Sequence, residues 1–181
     1  MKSSKILFAG LIIINVLFLS CMTKEKEEEV KETPKHIQPI AATGDLDLSI
    51  GQLVYVPGYS QIQYVYSTPE DRRINFAVTL SIRNTDMDNA IIIKSVTYYG
   101  DDGTLLKEYV EKPFRLSRMA SISFNISQAD VRGGIGANFI VEWGAEQSVT
   151  EPYIQAIMIG SHGTQGFSWR NPGYVIEEII N

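Results

Sequence analysis

The side chains that most often carry chemistry are scarce in this chain: its 181 residues include one cysteine, Cys21, and two histidines, His36 and His162. A lone thiol closes no internal disulfide, and zinc or copper sites are built from three or four nitrogen and sulfur donors. His36 stands in a charged stretch with no companion ligand. His162 lies beside Ser161 in SHGTQGFSW (161–169), but a hydrolytic triad needs nucleophile, base and orienting acid together, and no serine has the flanking glycines of a nucleophile elbow. GDLDLSIG (44–51) begins like a calcium loop, yet its glycine falls one place late and the closing glutamate is missing. Glu108 with Glu111, or Asp101 with Asp102, offer paired carboxylates, but adjacent charges in a hairpin are usually solvated. No catalytic residue, metal or cofactor is expected.

Two candidate binding regions remain. DVRGGIGANF (130–139) brings together Asp130, Gly133, Gly134 and Asn138. Successive backbone N–H groups in such a loop can cradle an anion. Phosphate loops, however, lead into a helix N-terminus, and dinucleotide loops need three glycines at fixed spacing between strand and helix; here a strand follows. Either the glycines serve the backbone, with Asp130 and Asn138 bonding the loop, or the loop faces a small ligand or ion together with His162. The second region is Arg83, on the polar side of its strand, with Tyr98 and Tyr99; strand packing accounts for these equally well.

The elements that must position these residues read as strands. INFAVTLSIRN (74–84) alternates Ile74, Phe76, Val78, Leu80 and Ile82 with polar or small residues, the period of a strand with one buried face. Asn84, Thr85 and Asp86 supply turn chemistry, and AIIIKSVTYYG (90–100) follows, rich in β-branched and aromatic residues. Asp101, Asp102 and Gly103 predict a hairpin into TLLKEYV (104–110). QLVYVP (52–57), SISFNIS (121–127), ANFIVEW (137–143), YIQAIMIG (153–160), a hairpin near QGFSW (165–169) and YVIEEI (174–179) complete the set. No amphipathic run of helical length carries capping signals. Roughly seven to nine strands with regular turns predict an all-β, two-sheet sandwich of the immunoglobulin or fibronectin type III kind, with a closed barrel as the alternative. Lacking a cysteine pair, such a sandwich must fill its core with Trp143 and aliphatic side chains.

The net charge of −5 and the absence of a basic stripe argue against nucleic acid. Lys112, Arg115 and Arg118 stand beside Glu111 and read as a solvated loop. At the start of the chain Lys2 and Lys5 precede an apolar run over 6–19, shorter than the roughly 20 residues of a membrane span. Phe18, Leu19, Ser20 and Cys21 then resemble a bacterial lipobox. That resemblance implies cleavage between Ser20 and Cys21, a diacylglyceryl group on the Cys21 sulfur and an acylated new amino terminus, so that the membrane itself is a partner. Several acyl chains anchor stably where one is marginal. Met22, not being aspartate, favours the outer membrane, facing the periplasm. The charged, proline-containing stretch from Met22 to Ala42 reads as a disordered tether. The predicted organisation is a signal over 1–20, a lipidated linker over 21–44 and a β-sandwich over 45–181.

The strings YVP (55–57), LSIRNTD (80–86), VTYYGDDGTLLKEYVEKP (96–113), GGIGANFIVEW (133–143), AIMIG (156–160) and QGFS (165–168) stand in this order. Together they resemble the bacterial lipoprotein family of domain of unknown function 3124 over residues 51–176. The resemblance implies an address and a domain boundary rather than a reaction. The expected function is a non-catalytic envelope module that contacts a protein, peptidoglycan or a polysaccharide. The alternatives are a small-ligand or ion receptor built on the 130–138 loop and the His162 loop, and an enzyme whose carboxylates converge only in the fold.

Overall fold

Alternating burial drives the architecture. In the computed structural model, which describes residues 34–40, 47–65 and 72–180, Phe76, Val78, Leu80 and Ile82 are all fully buried while Arg83 is exposed. The predicted strand divides at Phe76 into β4 (Arg72–Asn75) and β5 (Ala77–Arg83). The Phe76 N–H leaves the ladder there and donates to the Ser60 carbonyl at 2.9 Å. Ser20, Cys21, the apolar run and most of the tether lie outside the described residues.

The larger sheet has seven strands: β1 (Ile37–Pro39), β2 (Ile50–Pro57), β6 (Ile91–Tyr99), β7 (Leu105–Glu108), β8 (Phe114–Leu116), β10 (Asn138–Ala145) and β13 (Tyr174–Ile180). Its order is β1-β8-β6-β10-β2-β13, with β7 also on β6. The second sheet has four strands in the order β12 (Gln165–Pro172), β11 (Tyr153–His162), β5, β9 (Ser121–Ile126). A separate hairpin pairs β3 (Gln61–Val65) with β4. Every pairing is antiparallel, and the described residues contain no helix. The fold is an all-β sandwich with open sheet edges, not a closed barrel.

The inner faces of the two sheets make one core. Trp143 is 1% exposed, and its indole N–H donates to Gln52 Oε1 at 3.2 Å, so its polar atom is satisfied inside. Phe76 meets Trp169 edge-on at a centroid distance of 4.5 Å, and Tyr98 lies 5.0 Å from Phe139.

Three strands escaped sequence prediction. β3 and β8 are short and flanked by turns, and β1 falls inside the stretch read as tether. Apolar residues there are too sparse for a helical stripe, but a three-residue edge strand needs one inward side chain. Ile37 supplies it, packing against the core while pairing with Leu116. Pro39 is tolerated at such an edge because its missing N–H costs no interior ladder bond.

One end of the sandwich is closed by a buried polar knot. Asn84, 2% exposed, donates its amide to the carbonyls of Asn89, Leu116 and Ser117 at 2.8, 3.2 and 3.1 Å, and accepts from the Asp86 N–H at 3.0 Å. Asp86 accepts from the N–H groups of Thr150, Asp88 and Asn89. The Thr150 N–H above all, then those of Asp88 and Asn89, hold its carboxyl below the ordinary value of 3.8. What read as turn chemistry thus fastens three loops together.

Candidate binding face

The outer face of the four-stranded sheet is assembled row by row from cross-strand register. Tyr153, Arg83 and Ser121 form one row; Gln155, Ser81 and Ser123 the next; Arg170, Ile157, Thr79 and Asn125 the third. Period-2 alternation turns these outward, because Ile122, Phe124 and Ile126 on β9 and Ile154, Ala156 and Met158 on β11 point into the core. None of the four strands contains an aspartate or glutamate.

Along this face runs a trough of about 280 Å³, lined by Thr79, Ser81, Arg83, Ser121, Ile122, Ser123 and Ile157. Arg83 Nε donates to Ser81 Oγ at 3.3 Å, and the guanidinium makes no ion pair with a described residue. Thr79 Oγ1 donates to Asn125 Oδ1 at 2.9 Å. At the margin, Arg170 Nη1 donates to the Tyr153 hydroxyl at 2.8 Å, which donates to Gln155 Oε1 at 3.0 Å. The chemistry on offer is that of a hydroxyl-rich surface holding one uncommitted guanidinium and a second at its rim.

The glycine-rich loop is arranged otherwise. A β-carbon on Gly133 would fall 1.8 Å from the Tyr98 hydroxyl, so this glycine makes room for a buried phenol. Gly134 adopts φ +70°, and a β-carbon there would strike the Asp101 carboxylate at 2.1 Å. The Gly134 carbonyl accepts from the Ser60 and Gln61 N–H groups, each at 3.2 Å, and from Ser60 Oγ at 3.0 Å. Asp130 takes a paired hydrogen bond from Arg132 Nε and Nη2 at 2.8 and 2.7 Å, which holds its carboxyl below the usual 3.8. Asn138 Nδ2 donates to the Gly136 carbonyl at 3.4 Å. The loop's glycine sites therefore face protein groups. Burial pushes the Tyr98 phenol above its ordinary value, with the Ser60 hydroxyl acting in the opposite sense.

His162 ends β11 as an exposed residue, its Nε2 at 3.2 Å from the Tyr64 hydroxyl and its ring 4.7 Å from the Tyr64 ring. Neither the Arg83 trough nor the cavity described next is lined by Asp130, Asn138 or His162. The arrangement that comes nearest to paired carboxylates lies elsewhere: Gln52 Nε2 donates to Glu151 Oε1 at 3.0 Å and to Glu178 Oε1 at 3.2 Å, beside a cavity of about 120 Å³. With Trp143 on the Gln52 oxygen, this is a hydrogen-bonded clamp joining β10, β2, β13 and Glu151, two residues before β11. Its cavity is less than half the volume of the Arg83 trough. No group of histidine, cysteine and carboxylate side chains suited to a metal ion occurs among the described residues.

Sequence reasoning singled out Arg83 but missed Tyr153, Arg170, Ser121 and Ser123. The available signal was the alternation of Ser121, Ser123 and Asn125 within SISFNIS, a polar row opposite an apolar one.

Comparisons with known proteins add a family and a distant structural likeness. No curated protein matches the chain. A crystal structure of Thermotoga maritima 1070 aligns at 14% identity and a TM-score of 0.42, covering 68% of this chain and 92% of that one. The family model described as "Protein of unknown function (DUF3124)" matches residues 51–176. That span runs from β2 into β13 and takes in the Asn84 knot, the glycine-rich loop and the whole Arg83 face, and on this match the chain belongs to the DUF3124 family.

Proposed function

We propose that this chain is a lipid-anchored module of the bacterial envelope that binds a partner through the outer face of its four-stranded sheet and performs no covalent chemistry. The observation that carries the reading is the uncommitted Arg83 guanidinium in a hydroxyl-lined trough, on a sheet without a single carboxylate, in a chain whose net charge is −5. Arg115 and Arg132 each pair with a carboxylate, whereas Arg83, like Arg118 and Arg170, donates only to uncharged groups. What sets Arg83 apart is its place in a hydroxyl-lined trough, where its free donors can reach an outside group. The anchor is supported by residue order alone: two lysines, an apolar run, Ser20, Cys21 and a charged stretch. Acylation at Cys21 would hold the domain at a membrane, here read as the outer membrane on its periplasmic side.

The test places a photo-crosslinking residue at Ser123 in intact cells, with a control at Asp102, an exposed residue of the turn between β6 and β7 in the other sheet. Crosslinked partners specific to Ser123, retained in the membrane fraction and released from it by Cys21→Ser, are the expected result. Absence of Ser123-specific crosslinks sinks the binding reading. Failure of the wild type to incorporate a palmitate analogue sinks the anchor.

A further inference from the structure

We propose that the Arg83 trough receives a carboxylate of an acidic glycan, with the ligand's hydroxyl groups hydrogen-bonded along the β5 and β9 side chains. This rests on the contact face proposed above and specifies what that face takes.

The guanidinium supplies the first element. Its Nε is directed at Ser81 Oγ, at 3.3 Å, and its two Nη groups have no described acceptor. That planar fork matches a carboxylate in paired geometry, which a lysine ammonium does not. Ser121 lies directly across from Arg83, and Ser123 across from Ser81. They present short hydroxyls that both donate and accept, repeating about every 7 Å along the strand. Ile157 gives the trough an apolar wall, and Arg170, held by Tyr153, places a second cation at the rim.

Charge complementarity sets the sign of the ligand. The glutamate closest to the face in sequence, Glu151, is turned toward Gln52, with its Oε1 taking the Nε2 proton at 3.0 Å. An anion entering the trough therefore meets two guanidinium groups and no carboxylate from the sheet. Because the chain as a whole is acidic, attraction is local rather than long-range, and added salt weakens it.

The trough also favours a glycan over a peptide. Extended peptides bind by pairing with a sheet edge, where backbone groups are open. β9 is the edge of the sheet, but β5, which carries Arg83, is an interior strand hydrogen-bonded to β9 on one side and β11 on the other. Only side-chain donors and acceptors remain on its outer face, an arrangement suited to a polyhydroxylated ligand carrying one acid group per ring.

Titration calorimetry on the folded protein in about 50 mM salt tests this with an oligogalacturonide, its methyl ester and an oligoglutamate of equal charge. Saturable binding of the oligogalacturonide is expected, weakened about tenfold or more by methyl esterification and by Arg83→Gln, the loss of a charge-assisted pair. Arg118→Gln removes an exposed cation that donates to the Met87 carbonyl and is expected to leave affinity within about twofold. No saturable binding, equal affinity for the oligoglutamate, or an Arg83→Gln protein with unchanged thermal unfolding and unchanged affinity would overturn the assignment. If the Ser123 crosslinks persist in that event, the contact face stands and only the ligand class is lost.

Discussion

On the outer face of the seven-stranded sheet Lys94 meets Glu142 and Arg115 meets Glu146, whereas on the four-stranded sheet Arg83 and Arg170 meet only hydroxyl groups. Both faces arise from the same strand alternation, and although Ser81 and Gln155 are buried on the second, it is the first that buries apolar side chains. Leu48 is buried over Gly144, where a β-carbon would lie 2.8 Å from its Cδ1, and Ile92 on the same side is 1% exposed. One face has its charges matched and part of its apolar surface removed from water, so it contributes to stability. The other leaves hydrogen-bonding capacity open, which adds little to the fold and is available to a ligand.

The largest effect that separates the faces is Leu48→Ala, expected to cost about 2–3 kcal/mol in urea unfolding because it empties a buried site. Ser123→Ala, on the opposite face, is expected to change stability by less than about 0.5 kcal/mol. Equal losses would erase the contrast. Next comes Arg115→Gln, which breaks a pair whose Nη1–Oε2 arm is 2.9 Å and whose partners are partly exposed, for a loss of about 0.5 kcal/mol.

That pair also carries a pH signature. Hydrogen bonding from Arg115 holds the Glu146 carboxyl below its ordinary 4.5. The resulting stability is fully present above 4.5 and is lost as pH falls through the lower folded value. Thermal unfolding from pH 6 down to about 3 is expected to be less acid-sensitive in Arg115→Gln than in the wild type. The smallest effect is Arg83→Gln, for which the unfolding midpoint is expected to stay put while ligand binding drops. A clear loss of stability would make Arg83 a structural residue.

Much of the fold was legible because one buried face writes a period of two into β2, β5, β6, β9, β10 and β11. The short strands β1, β3 and β8 carry too few residues to show a period, and their partners fix them: β1 exists because β8 offers it an edge. The site was legible only as Arg83 on a polar side. Arg170 and Tyr153 become its neighbours through the β11 register, which pairs residues some 70 positions apart. Asn84 illustrates the converse. Its turn chemistry was visible, but its burial depends on carbonyls from Leu116 and Ser117 that no local pattern announces. The glycines of the 130–138 loop were ambiguous for the same reason, since Tyr98 and Asp101 decide what they are for.

The three residues of β1 alter the mechanics of the proposed attachment. With Ile37 already seated against Leu116, the chain length available to the proposed anchor at Cys21 is counted to residue 37 instead of to the first long strand at residue 50. Even fully extended, roughly 16 residues reach no further than about 55 Å. If the proposed acylation holds, a partner of this domain would have to come within a few nanometres of the bilayer that carries the anchor.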